Sequence, residues 1–126
     1  MKLELETNIY KFTKIIMRKV KGIVLYNIEL NGNLSGVYTN DDPALKGKIF
    51  TEIASRNPAK DVPSKGECYD TLYFDSGPPF VACLLFLDLQ NGKYTALWED
   101  NNSVPKYKGV GYRMNERQIA IAYESA

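Results

Sequence analysis

Residues 80–99 read FVACLLFLDLQNGKYTALWE, and their order decides the fold. Phe80 to Leu89 is apolar at both sets of alternating positions, as a strand covered on two sides requires. Asn91-Gly92 is a hairpin signal. Lys93 to Glu99 returns, with Tyr94, Ala96 and Trp98 on one face because strand side chains alternate.

The same pattern repeats on either side. Tyr107 to Arg113 (YKGVGYR) and Arg117 to Tyr123 (RQIAIAY) are the last two strands, joined through Met114-Asn115-Glu116. Upstream, Glu67 to Phe74 (ECYDTLYF) is a strand broken by Asp75-Ser76-Gly77-Pro78-Pro79, and Ser55 to Lys65, with two prolines and several charges, is an exposed loop. Ile23 to Leu30 (IVLYNIEL) leads into Asn31-Gly32, the dipeptide best suited to a two-residue type I′ turn, and Asn33 to Thr39 returns. Asn40-Asp41-Asp42-Pro43 is a turn cluster, and Lys48 to Ala54 is a third strand. About seven or eight short strands at this spacing predict an all-β fold, a single antiparallel β-barrel spanning residues 1–126. Lys2 to Glu6 alternates like a strand, and Ile9, Phe12, Ile16 and Val20 recur at helical spacing before Gly22, predicting a short strand followed by a helix that packs on the barrel or closes one end.

Composition removes several chemistries. Sixteen basic and fifteen acidic residues leave a net charge of +1, so no basic excess calls for nucleic acid. The chain has no histidine, which excludes His general bases and Ser-His or Cys-His nucleophile pairs. Cys68 and Cys83 are too few for a structural zinc site and read as two buried free thiols. Charges interrupt the N-terminal stretch every few positions, and no segment is long and apolar enough for a membrane helix, so the expected address is the cytoplasm. Asp41-Asp42, Asp70, Asp75 and Glu99-Asp100 fall at or near strand ends and read as turn formers rather than a catalytic pair. Ser76 lacks the GxSxG frame of a nucleophile elbow. The basic cluster Lys14, Arg18 and Lys21 reads as a solvated helix face. No catalytic set, metal site or cofactor is expected.

Gly109-Val110-Gly111 lies inside a strand, so it is not a phosphate loop. Gly109 and Gly111 share a face and leave a bare strip between Tyr107 and Arg113. Trp98 is expected to lie across that strip, or the strip opens a cavity lined by Trp98, Tyr107 and Arg113. The run Lys93 to Glu124 resembles the closing hairpins of small bacterial β-barrel domains of the lipocalin- or avidin-like type. Its Trp-bearing strand (Trp98) precedes a Tyr-x-Gly-x-Gly strand (Tyr107, Gly109, Gly111) and an apolar strand ending in Tyr123. Asn33 to Tyr38 is similar to the opening strand of such barrels. The resemblance implies the barrel fold and not biotin binding, because the polar groups for biotin have no counterpart here.

The expected function is non-catalytic binding of a small, largely apolar molecule inside the barrel, with Tyr38, Trp98, Tyr107 and Arg113 as ligand-binding residues. The alternative is a protein–protein interaction module, or a homo-oligomer joined through an exposed strand edge, with the barrel interior packed shut. The doubly apolar run Phe80 to Leu89 supports it, since that strand needs cover on both faces.

Overall fold

The computed structural model describes residues 19–74 and 80–126. The predicted N-terminal strand, and the predicted helix but for its last residues, fall outside them. Eight antiparallel strands form a closed barrel in simple chain order: β1 (Lys21–Ile28), β2 (Leu34–Asn40), β3 (Phe50–Arg56), β4 (Glu67–Phe74), β5 (Phe80–Gln90), β6 (Lys93–Glu99), β7 (Pro105–Asn115) and β8 (Gln118–Ser125). Closure comes from β1, which pairs β2 on one side and β8 on the other, with Ile23 opposite Ala122 and Leu25 opposite Ala120. Among the described residues the closed sheet leaves no barrel strand with an unpaired edge.

The two Asn-Gly signals resolve differently. Asn91 and Gly92 both take positive φ and join Gln90 to Lys93 in a two-residue turn, the geometry a type I′ hairpin requires. At Asn31-Gly32 only Gly32 has positive φ. Gly32 N–H donates to the Glu29 carbonyl at 2.9 Å, and Glu29 N–H to the Asn33 carbonyl at 2.8 Å. This is a three-residue loop, a tight turn completed by a left-handed glycine, and it corrects the type I′ expectation. The extra residue ends β1 at Ile28 and starts β2 at Leu34.

Inward residues fill the middle of the barrel. Tyr26, Ala54, Leu85, Ala96 and Ile121 are all buried there. Eight strands enclose a space just wide enough for such side chains or for one small ligand. Here the packed middle separates two openings, one at each end of the barrel.

At Phe86 the outer face of β5 has its cover from the same chain. Phe86 is buried outside the barrel, and Lys65 Nζ lies 5.2 Å from its ring centre. Lys65 also pairs at 2.7 Å with the buried Glu99. Around Phe86 the strand is thus covered without a partner. Cys68 is buried on the Phe86 face of the sheet, opposite Phe86 in register, whereas Cys83 points inward with Leu85. The two thiols are free, as expected, because the sheet stands between them.

Candidate ligand cavity

Two glycines shape the interior at one end. On one row across the sheet, Tyr26 of β1 faces Gly36 of β2, Gly36 faces Glu52 of β3, and Glu52 faces Tyr73 of β4. A Cβ at position 36 would stand 2.7 Å from the Tyr26 ring. With no side chain there, Tyr26 reaches across β2 and its hydroxyl donates to Glu52 Oε2 at 2.6 Å. Gly22 does the same for Tyr123. A Cβ at Gly22 would meet the Tyr123 ring at 2.5 Å. Across that gap Asn40 Nδ2 donates to the Tyr123 hydroxyl at 3.0 Å. Each glycine lets a tyrosine bridge to a polar partner two strands away.

Above Glu52 lies a cavity of about 230 Å³. Its walls include Val24, Tyr38, Tyr73, Trp98, Tyr107 and Tyr123, with Asp42, Leu45 and Lys106 also in its lining. The rings brace one another. Trp98 and Tyr123 are 5.5 Å apart, Tyr107 meets Tyr123 edge-on at 5.7 Å, and Tyr38 meets Tyr73 edge-on at 5.6 Å. Such tilted and T-shaped pairs fix ring orientation beyond what area burial alone would do. Most of the tyrosines the sequence places in strands thus line the interior. Of those, only Tyr112 is exposed.

Glu52 is 2% exposed. Burial drives its carboxyl up to about 7, against hydrogen bonding from Tyr26 and Trp98, which favours the charged form. The neighbouring groups stay neutral. Burial raises Tyr26 and Tyr73 far above the usual phenol range, and Glu52 adds to both. Tyr123 is pushed up to about 12. The Cys83 thiol, 3.5 Å from the Tyr73 hydroxyl, is also raised by burial, so it is held as a thiol rather than a nucleophilic thiolate. Glu52 therefore changes charge near neutral pH, able to accept a hydrogen bond or to pair with a cation. Among the described residues, no group of three or more Cys, Asp or Glu side chains is placed to hold a metal ion.

Of the four expected site residues, Tyr38, Trp98 and Tyr107 line this cavity and Arg113 does not. Arg113 belongs to the opposite mouth, a wider opening of about 760 Å³ that also includes Arg56, Tyr69 and Tyr94. Its Nε donates to the Tyr94 hydroxyl at 2.9 Å. The reason is length: β7 runs from Pro105 to Asn115, and Tyr107 and Arg113 sit near its two ends. The glycine strip between them is also covered differently from expectation. The nearest atoms to a Cβ at Gly109 or Gly111 belong to β8, chiefly Ile121 and the backbone of Ala120 and Ala122, while Trp98 packs on Tyr123.

Sequence reasoning missed Glu52. Alternation in β3 sets Phe50, Glu52 and Ala54 against Thr51 and Ile53, and hydrophobicity alone would turn Ile53 inward. The structure does the reverse, with Ile53 40% exposed. The signal that could have found it is Gly36, a strand glycine opposite an aromatic on one neighbour and a carboxylate on the other.

Among the described residues no helix is long and apolar enough to cross a membrane. No protein-family model, curated protein or solved structure matches this chain.

Proposed function

We propose that this barrel binds one small, largely apolar molecule in the cavity lined by Trp98, without chemistry. The observation that carries the reading is the cavity itself: about 230 Å³ walled mainly by aromatic rings, with one buried carboxyl in its lining. Ligand sites of this kind are concave, mostly apolar and provided with a few polar groups for orientation. Roughly 150 Å³ suffices for a benzene-sized molecule, so one ring with a short substituent fits. The eight-stranded up-and-down order supports kinship with lipocalin- or avidin-like barrels, and two free thiols are compatible with the reducing cytoplasm. Native mass spectrometry on gently purified protein tests the proposal. A small-molecule adduct on the monomer is expected. A bare monomer that also takes up no small aromatic compound overturns it.

A second reading, self-association through the outside of the barrel, is favoured by one observation. Across β7, β8, β1 and β2, Tyr112, Ala120, Leu25 and Val37 form one outward row, beside a row of Val110, Ala122 and Ile23. Tyr112, Val37, Val110 and Ile23 are exposed. The small alanines of β8 form a groove between apolar ridges, a shape that a second copy can match by two-fold symmetry. Sedimentation over a range of concentrations tests it: a mass that rises with concentration supports the dimer, and a constant monomer mass rejects it.

A further inference from the structure

The inference deepens the cavity reading and rests on it. We infer that the ligand is a small amine, its ammonium group on Glu52 and its apolar part among Tyr38, Tyr73, Trp98 and Tyr107.

Glu52 is a charge with no cationic counterpart among the described residues. Glu52 is buried, and its hydrogen-bonding partners, Tyr26 and Trp98, are neutral. Among the described residues no cation pairs with it. Among the described residues the cation lining the cavity is Lys106, whose Nζ lies 3.7 Å from Asp100 and forms no ion pair with Glu52. A neutral apolar ligand would strip water from the carboxylate and give nothing back, and an anion would be repelled. An ammonium ion supplies both the missing charge and hydrogen-bond donors. The walls point the same way, since ring faces present negative charge density and attract cations, most strongly Trp and then Tyr. A carboxylate beneath a cage of rings thus selects for positive charge, and the cavity volume limits the rest of the molecule to about one ring.

The pH response is read against the groups packed around the carboxyl. The groups around Glu52 are Tyr26 on β1, Tyr73 on β4, Cys83 on β5, Trp98 on β6, Tyr107 on β7 and Tyr123 on β8. Every titratable one of these is raised above its ordinary value. On β2 the neighbours are Tyr38 and Asn40. Asp42 and Lys106 complete the charged groups of the lining.

Trp98 is the only tryptophan in the chain, so its fluorescence reports on this cavity. The probes are 2-phenylethylamine, the neutral 2-phenylethanol and the anionic 3-phenylpropanoate, titrated into the intact protein. At about pH 8.5 the amine is expected to bind at least about tenfold tighter than the alcohol, and the propanoate weakest. At about pH 5, two units below the carboxyl's value of about 7, amine affinity is expected to fall up to about a hundredfold while alcohol affinity holds. Glu52→Gln should abolish the preference for the amine and keep alcohol binding. Should that variant fail to fold, the pH series on the natural chain decides. Equal binding of amine and alcohol, or a preference indifferent to pH, overturns the amine inference and leaves the cavity reading standing. No binding of any probe overturns both.

Discussion

Replacing Glu52 with glutamine should stabilise the protein at alkaline pH and not at acid pH. In the unfolded chain this carboxyl titrates near 4.5, and in the barrel at about 7. The folded state therefore holds its proton through a range in which the unfolded chain has already lost it. Stability falls as pH rises from 4.5 to 7 and stays low above that. At 1.36 kcal/mol per pH unit the full effect is about 3 kcal/mol. Glutamine carries no charge to bury and can still accept from Tyr26, but its amide N–H groups need partners, which costs about 1 kcal/mol. The net expectation is a gain of about 2 kcal/mol near pH 8, or roughly 5–10 °C in Tm, and a small loss near pH 4.5. Melting curves by circular dichroism across that range check it. Asp61, Asp70 and Asp100, whose partners hold them below the usual carboxylate range, respond alike in both proteins and cancel in the difference. A difference in Tm that does not change with pH would refute the reasoning.

Three further substitutions bear on the same architecture. Trp98→Ala removes a buried ring packed on Tyr123 and should cost about 3–5 kcal/mol by denaturant unfolding; a loss under about 1 kcal/mol would show that the site is loosely packed. Gly111→Val places a Cβ 2.1 Å from the Ala120 carbonyl, so the variant should fail to fold or melt far lower, and an unchanged Tm would contradict the close approach of β7 and β8. Arg113→Ala, at the far mouth, should leave 2-phenylethylamine affinity within about twofold; a large loss would mean that the two ends communicate.

The barrel was readable because its strands are separated by strong punctuation. The eight strand segments read from Ile23 onward are present, with ends displaced by a residue or two where turn chemistry decided. Asn31 and Asn91 show the limit: the same dipeptide gives two loops, because loop length answers to the register of the paired strands and not to two residues. The site was half legible. Tyr38, Trp98 and Tyr107 announce themselves as aromatics in strands, and the barrel brings them together. Arg113 looked equally suitable because spacing along a strand gives the face but not the end of the barrel. Glu52 was hidden because its partner Tyr26 reaches it across Gly36, a contact that the register of β1, β2 and β3 creates.

The most direct measurement is a crystal structure of the protein soaked with 2-phenylethylamine. The account predicts its ring among Tyr38, Tyr73 and Trp98, with the amine nitrogen in hydrogen-bond contact with Glu52. A cavity closed by its own side chains, with the amine absent or bound elsewhere, would contradict it.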